Sequence, residues 1–155
     1  MDQIDKALTD TCDANKLVLS SLALYLAEST RSQWGRHGRR VEFCNSRPEI
    51  MKLFLTFLRN MGIDEQKLRI RVKVSDISSV KAVEAFWSKY LDIPKEQFIK
   101  PIVRGRGPRH SNIGSYYGTC TLRYHNARLY RRIVNRASKL VHCFAEKPEP
   151  LTSLT

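Results

Sequence analysis

Lys67, Arg69, Arg71 and Lys73 alternate with Leu68, Ile70, Val72 and Val74. Successive side chains of a β-strand point to opposite faces, so this run sets four cations against four aliphatics. Unpaired cations do not enter a core. The run therefore predicts a strand over 67–74 with one packed face and one positive ridge. A solvated sheet face is the plainer reading of those four residues taken alone. Arg39, Arg40, Arg104, Arg106, Arg109, Arg123 and His125 extend the same bias. The chemistry open to such a ridge is polyanion binding, because the arginine fork matches phosphate and guanine edges bidentately. A β surface of two or more strands can enter the DNA major groove. Tyr116 and Tyr117 could stack bases, but packing is the preferred reading.

Glu28 is the second residue with chemical potential. It closes the apolar run Leu17 to Ala27. A carboxylate at a helix C-terminus meets the negative end of the helix dipole and the free carbonyls of the last turn. Carboxylate beside carbonyl oxygen suits a hard cation such as Mg²⁺. The residues alone favour a simpler alternative, a surface ion pair with Arg31 or Arg39. Histidines 37, 110, 125 and 142 show no metal spacing, and no serine sits in a nucleophile-elbow pattern. The GRG at 105–107 lacks a strand–glycine–helix setting, so a nucleotide fold is not indicated.

These residues need elements to hold them. Residues 17–28 are apolar nearly all round, which predicts a helix buried on all sides. Ser20, Ala23 and Ala27 share one stripe of it, either for close approach of a second helix or for a crowded core. Arg39 to Asn45 alternates as a strand, with Val41 and Phe43 on one face. Ser46 and Glu49 form a capping-box pattern before a helix that runs to Gly62. A second helix starts near Ser78 or Ser79, with Val80, Val83, Phe86, Trp87, Tyr90 and Leu91 on its stripe. Gln97 to Arg104 reads as an edge or bulged strand because of Pro101. Gly105 to Tyr117 is a loop, and Gly118 to His125 alternates again. Asn126 caps a last helix. Segments 57–72 and 87–103 echo each other as helix, tight turn, strand.

At 155 residues the chain has about one domain's length. The expected division is an arm over 1–16, one domain over 17–145 and a tail over 146–155. The formal charge is +12, and residues 101–139 carry nine bases and no acid. Such an excess points to nucleic acid first and an acidic membrane surface second. Four scattered cysteines without a CxxC pair argue against a zinc site and against a disulfide framework. Asp2, Asp5, Asp10 and Asp13 carry the wrong charge for a signal peptide, and eleven apolar residues are too few to span a bilayer. The expected setting is soluble and cytoplasmic.

The helix end SLALYLAES (21–29) resembles the LAGLIDADG motif of homing endonucleases. VEFCNSRPEIMKLFLTFLRNMGI (41–63), KLRIRV, FWSKYLDIPKEQF and YGTCTLRYHNARLYRRI resemble, in this order, a prokaryotic single-motif branch of LAGLIDADG-like domains. The resemblance runs from about Leu17 to Ile133. It implies an α+β fold, a mixed or antiparallel saddle sheet with helices packed on one face. It implies a homodimer joined through Ser20, Ala23 and Ala27, with Glu28 as the acid that binds Mg²⁺ at the scissile phosphates. It further implies that the saddle lies on duplex DNA. Ser29 stands where the motif carries glycine, and helix 79–91 has no counterpart in the simplest members.

The expected function is Mg²⁺-dependent cleavage of duplex DNA by a homodimer. A non-catalytic DNA-binding regulator on the same scaffold is the first alternative. An RNA-binding structural protein is the second.

Overall fold

Apolar residues two apart recur in three segments, and each is a strand. β1 (Arg40–Asn45) buries Val41 and Phe43. β2 (Leu68–Val74) buries Leu68, Ile70, Val72 and Val74. β3 (Ile102–Val103) is a two-residue edge, and β4 (Thr119–His125) buries Cys120, Leu122 and Tyr124. In this computed structural model the described residues are 14–28, 40–76, 79–105 and 117–145. The strands form one mixed sheet in the order β1-β4-β2-β3. β4 lies antiparallel to both β1 and β2, while β2 and β3 run parallel.

Four helices cover the apolar face: α1 (Ala14–Glu28), α2 (Pro48–Asn60), α3 (Val80–Leu91) and α4 (Ala127–Ala145). α1, α2 and α4 touch β1, and α3 touches β2. The protein is thus an α+β assembly of one helical layer on one sheet. A stack of rings ties α1 to the sheet. Phe54 of α2 lies between Tyr25, at 5.6 Å between ring centroids, and Phe43, at 4.1 Å. Burial pushes the Tyr25 phenol above the ordinary tyrosine range. At the other end of the core Trp87 of α3 is fully buried, and its indole N–H donates to the Tyr117 carbonyl at 2.8 Å. Tyr117 also stacks flat on Phe86, with centroids 3.5 Å apart. That residue packs, as expected; Tyr116 lies outside the described residues.

Several details differ from the sequence reading. α1 begins at Ala14, so the last residues assigned to the arm are helical. α1 is not buried on all sides within one chain. It buries Ser21, Leu22 and Tyr25, while Val18, Leu19, Ser20, Ala23 and Ala27 are exposed. The capping box does not form. The N-cap of α2 is Arg47, without a side-chain cap, and Glu49 pairs with the Arg47 guanidinium at 2.9 Å instead. Lys67 belongs to a 3₁₀ turn before β2, not to the strand. Asn126 does cap α4, its side-chain oxygen accepting from the Leu129 N–H at 2.9 Å.

The edge next to β2 is bulged. Ile70 bridges to Phe98 and Lys73 pairs with Ile102, so three steps along β2 meet four along the edge. Pro101 sits in the extra step, where no ladder N–H is required of it. The echo between 57–72 and 87–103 corresponds to two helix, 3₁₀ turn and strand units, and their strands lie side by side in parallel. Residues 1–13 of the expected arm and the tail over 146–155 lie outside the described residues.

Candidate nucleic-acid interface

The outward positions of the strands fall in rows set by the register. Arg40 lies opposite His125. Glu42 lies opposite Arg123, and Arg123 lies opposite Arg69. Cys44 lies opposite Thr121, and Thr121 opposite Arg71. Lys73 lies between Thr119 and Ile102. Arg40, Arg69, Arg71, Lys73, Arg123 and His125, expected as a ridge, therefore share the sheet face away from the helices. Lys67 stands just before β2, exposed and 3.3 Å from Asp64. Arg104 follows β3, exposed, its N–H donating to the Val74 carbonyl at 2.9 Å. Arg39, Arg106 and Arg109 lie outside the described residues.

The face is unevenly charged where β1 meets β4. Glu42 Oε2 lies 2.8 Å from Arg40 Nε and 3.0 Å from Arg123 Nε. Arg123 Nη2 donates to Glu42 Oε1 at 3.4 Å. The Glu42 and Arg123 side chains are each only 15% exposed, so solvent screens this pair less than an ordinary surface bridge. Arg71, beside them, has a buried Nε without a hydrogen-bond partner. Desolvation lowers its pKa from the ordinary arginine value, and the nearby Arg123 lowers it further. An anion arriving at Arg71 would offset both effects. Arg69 behaves differently. Its guanidinium turns back along the backbone, donating to the carbonyls of Gln66 at 2.6 Å and Leu68 at 2.7 Å.

Glu42 is the functional candidate that sequence reasoning missed. Alternation places it on the same face as Arg40, a signal present in the sequence. Its contact with Arg123, 81 residues away, follows only from the pairing of β1 with β4.

The other expected site residues are on the helical layer. Glu28 is the last residue of α1 and is exposed. Ser20, Ala23 and Ala27 are exposed on the same helix. None of these four lines the apolar groove of about 440 Å³ between α1, α2 and α4, whose walls include Val18, Leu22, Phe57 and Ile133. Among the described residues no group of three His, Cys, Asp or Glu side chains gathers that could hold a metal ion. Among the described residues Glu28 belongs to no such group.

The fold and this face define an α+β domain with a cationic open sheet. No helix among the described residues is long and apolar enough to cross a membrane. No family model, no curated protein and no solved structure matches this chain.

Proposed function

We propose that this chain binds duplex DNA through the open face of its sheet, as a LAGLIDADG-like domain. The observation that carries the reading is the set Arg40, Arg69, Arg71, Lys73 and Arg123 on the sheet face away from the four described helices. The major groove admits a two-stranded β-ribbon, and the adjacent β2 and β4 carry Arg69, Arg71, Lys73 and Arg123 on this face. The salt dependence of binding would report how many of these cations reach phosphates.

The reading extends to Mg²⁺-dependent phosphodiester hydrolysis by a homodimer. The exposed stripe Ser20, Ala23 and Ala27 supports the dimer, since small residues let two α1 backbones approach closely. Joined there, two copies would bring two Glu28 carboxylates to one dyad. The remaining ligands of a metal would come from the scissile phosphates and water. Bound there, the metal would activate a water and stabilise the leaving oxygen. Glu28 would hold that charge in place, and the sheet residues would fix the duplex against it.

The test is a plasmid carrying the DNA around this chain's own gene, with any interruption rejoined, incubated with and without Mg²⁺. Cleavage that needs the metal supports the nuclease. Tight binding of one sequence without cleavage in Mg²⁺ or Mn²⁺ replaces it with a non-catalytic regulator. Preference for folded RNA over duplex DNA overturns both.

A further inference from the structure

Among the described residues of the four strands, Glu42 is the one acid on a face of arginines. It is not a stray surface charge. Its carboxylate holds Arg40 and Arg123 at 2.8 and 3.0 Å. Its Oε2 and Arg123 Nε are both cut off from solvent. A phosphate could take Arg40 or Arg123 only by competing with a carboxylate already in contact and little screened. Glu42 would therefore weaken any phosphate grip by Arg40 and Arg123 on β1 and β4. Among the described residues, Lys73 in β2 and Arg104 beyond β3 form no ion pair, and Lys67, just before β2, meets only the exposed Asp64.

The same pair offers a pattern as well as a charge balance. Arg123 presents guanidinium donors, and Glu42 presents a carboxylate acceptor directly across the strand pair. In the major groove a G·C pair shows two acceptors, guanine N7 and O6, beside one donor, the cytosine N4 amine. Donors beside an acceptor complement acceptors beside a donor. The carboxylate also fixes the guanidinium plane in advance, which spares the ordering cost of a free arginine.

We propose that Glu42 and Arg123 form a reader of a G·C base edge, with Glu42 withholding Arg40 and Arg123 from the phosphate backbone. The proposal rests on the reading of this face as a duplex-DNA surface. It adds which residue makes that face selective and for which base pair.

The experiment uses the full chain and random 30-bp duplexes, in EDTA so that no cleavage intervenes. Site selection with the wild type should enrich a G·C pair at a fixed position. Glu42→Gln keeps the shape and removes the charge. It should bind the unselected duplex pool about tenfold tighter, with a salt slope steeper by about one or two units as cations are released to phosphates. It should also lose the enriched G·C pair. Arg123→Lys keeps the charge but not the fork. It should leave the salt slope nearly unchanged and lose the same position, which keeps the test decisive if Glu42→Gln fails to fold. An Arg123→Lys selection that retains the G·C pair overturns the proposal. So does a Glu42→Gln slope equal to wild type while Arg71→Ala lowers it, and in that case the DNA face itself stands. If wild type, Arg69→Ala and Arg71→Ala all show no salt-dependent duplex binding, the underlying DNA reading fails.

Discussion

Arg69 and Arg123 stand directly opposite each other on β2 and β4. Like charges at such a pairing repel and ordinarily destabilise a sheet. The two side chains part company. Arg69 folds back onto the carbonyls of Gln66 and Leu68, while Arg123 turns across to Glu42 on β1. The repulsion is reduced without removing either cation from the face.

Arg71→Ala should lower affinity for duplex DNA across sequences and reduce the salt slope by about one unit, if one phosphate contact is lost. Arg69→Ala should act the same way. Anisotropy titrations from 50 to 200 mM salt measure both. Circular dichroism should show an unchanged fold, because neither side chain enters the core. Unaltered affinity and slope in both variants would count against the whole face.

Ile70→Ala tests the opposite side of the same strand. Ile70 is fully buried between the sheet and the helices. Its truncation should cost about 2–5 kcal/mol through lost burial and a residual cavity. Urea denaturation reads this directly. A loss below about 1 kcal/mol would mean that β2 is not central to the core.

Ala23→Leu and Ala27→Leu separate folding from assembly. Both positions are exposed in the single chain, so monomer stability should change little. If two α1 helices meet at this stripe, the larger side chains should weaken the dimer by about 1–3 kcal/mol through overpacking. Sedimentation equilibrium across a concentration series would show it. A monomer in every case would end the dimer reading.

Gly118→Ala should be the more damaging of two glycine substitutions. Gly118 has φ +66°, and a Cβ there would lie 2.6 Å from the Lys73 carbonyl oxygen. Gly62 has φ +72° but open space around it. Gly62→Ala should cost about 1–2 kcal/mol from the left-handed backbone alone. Gly118→Ala carries the same strain plus a clash between β4 and β2. Equal losses for the two in thermal melts would contradict the close approach.

Glu28→Gln addresses the chemistry. The side chain is exposed at the end of α1, so folding and duplex affinity should stay near wild type. Removing repulsion from phosphate could even raise affinity. Metal-dependent cleavage should be abolished, as judged by plasmid nicking and linearisation. Wild-type rates in the variant would place the chemistry on other residues.

Much of the fold was legible from local pattern. Alternation marks β1, β2 and β4 because strand geometry repeats every two residues whatever lies beside the strand. The helix ending before Gly62, with apolar residues recurring at helical period from Ile50 to Met61, and the Asn126 cap were legible for the same reason, since both depend on neighbours within one or two turns. The failures are equally local in origin. Ser46 satisfies the capping-box pattern, yet Asn45 accepts from the Arg47 N–H at 2.9 Å and the helix starts one residue later. Two short-range arrangements competed, and the spacing alone did not rank them.

The sequence by itself determined that cations and aliphatics on β2 must part to opposite faces, because charge and burial are incompatible within one strand. It also placed Glu28 at the end of an apolar helix. Only the tertiary structure decided which strands are neighbours. β1 and β2 follow each other in the chain, yet both pair with β4, which enters between them from the far end of the sequence. That insertion sets Glu42 on the edge strand β1 beside Arg123 on β4 and puts a carboxylate among the arginines of the face. Strand periodicity is dictated by bond geometry over a few residues. Strand order is dictated by how four helices and one sheet can bury their apolar faces together, and no window of sequence contains that constraint.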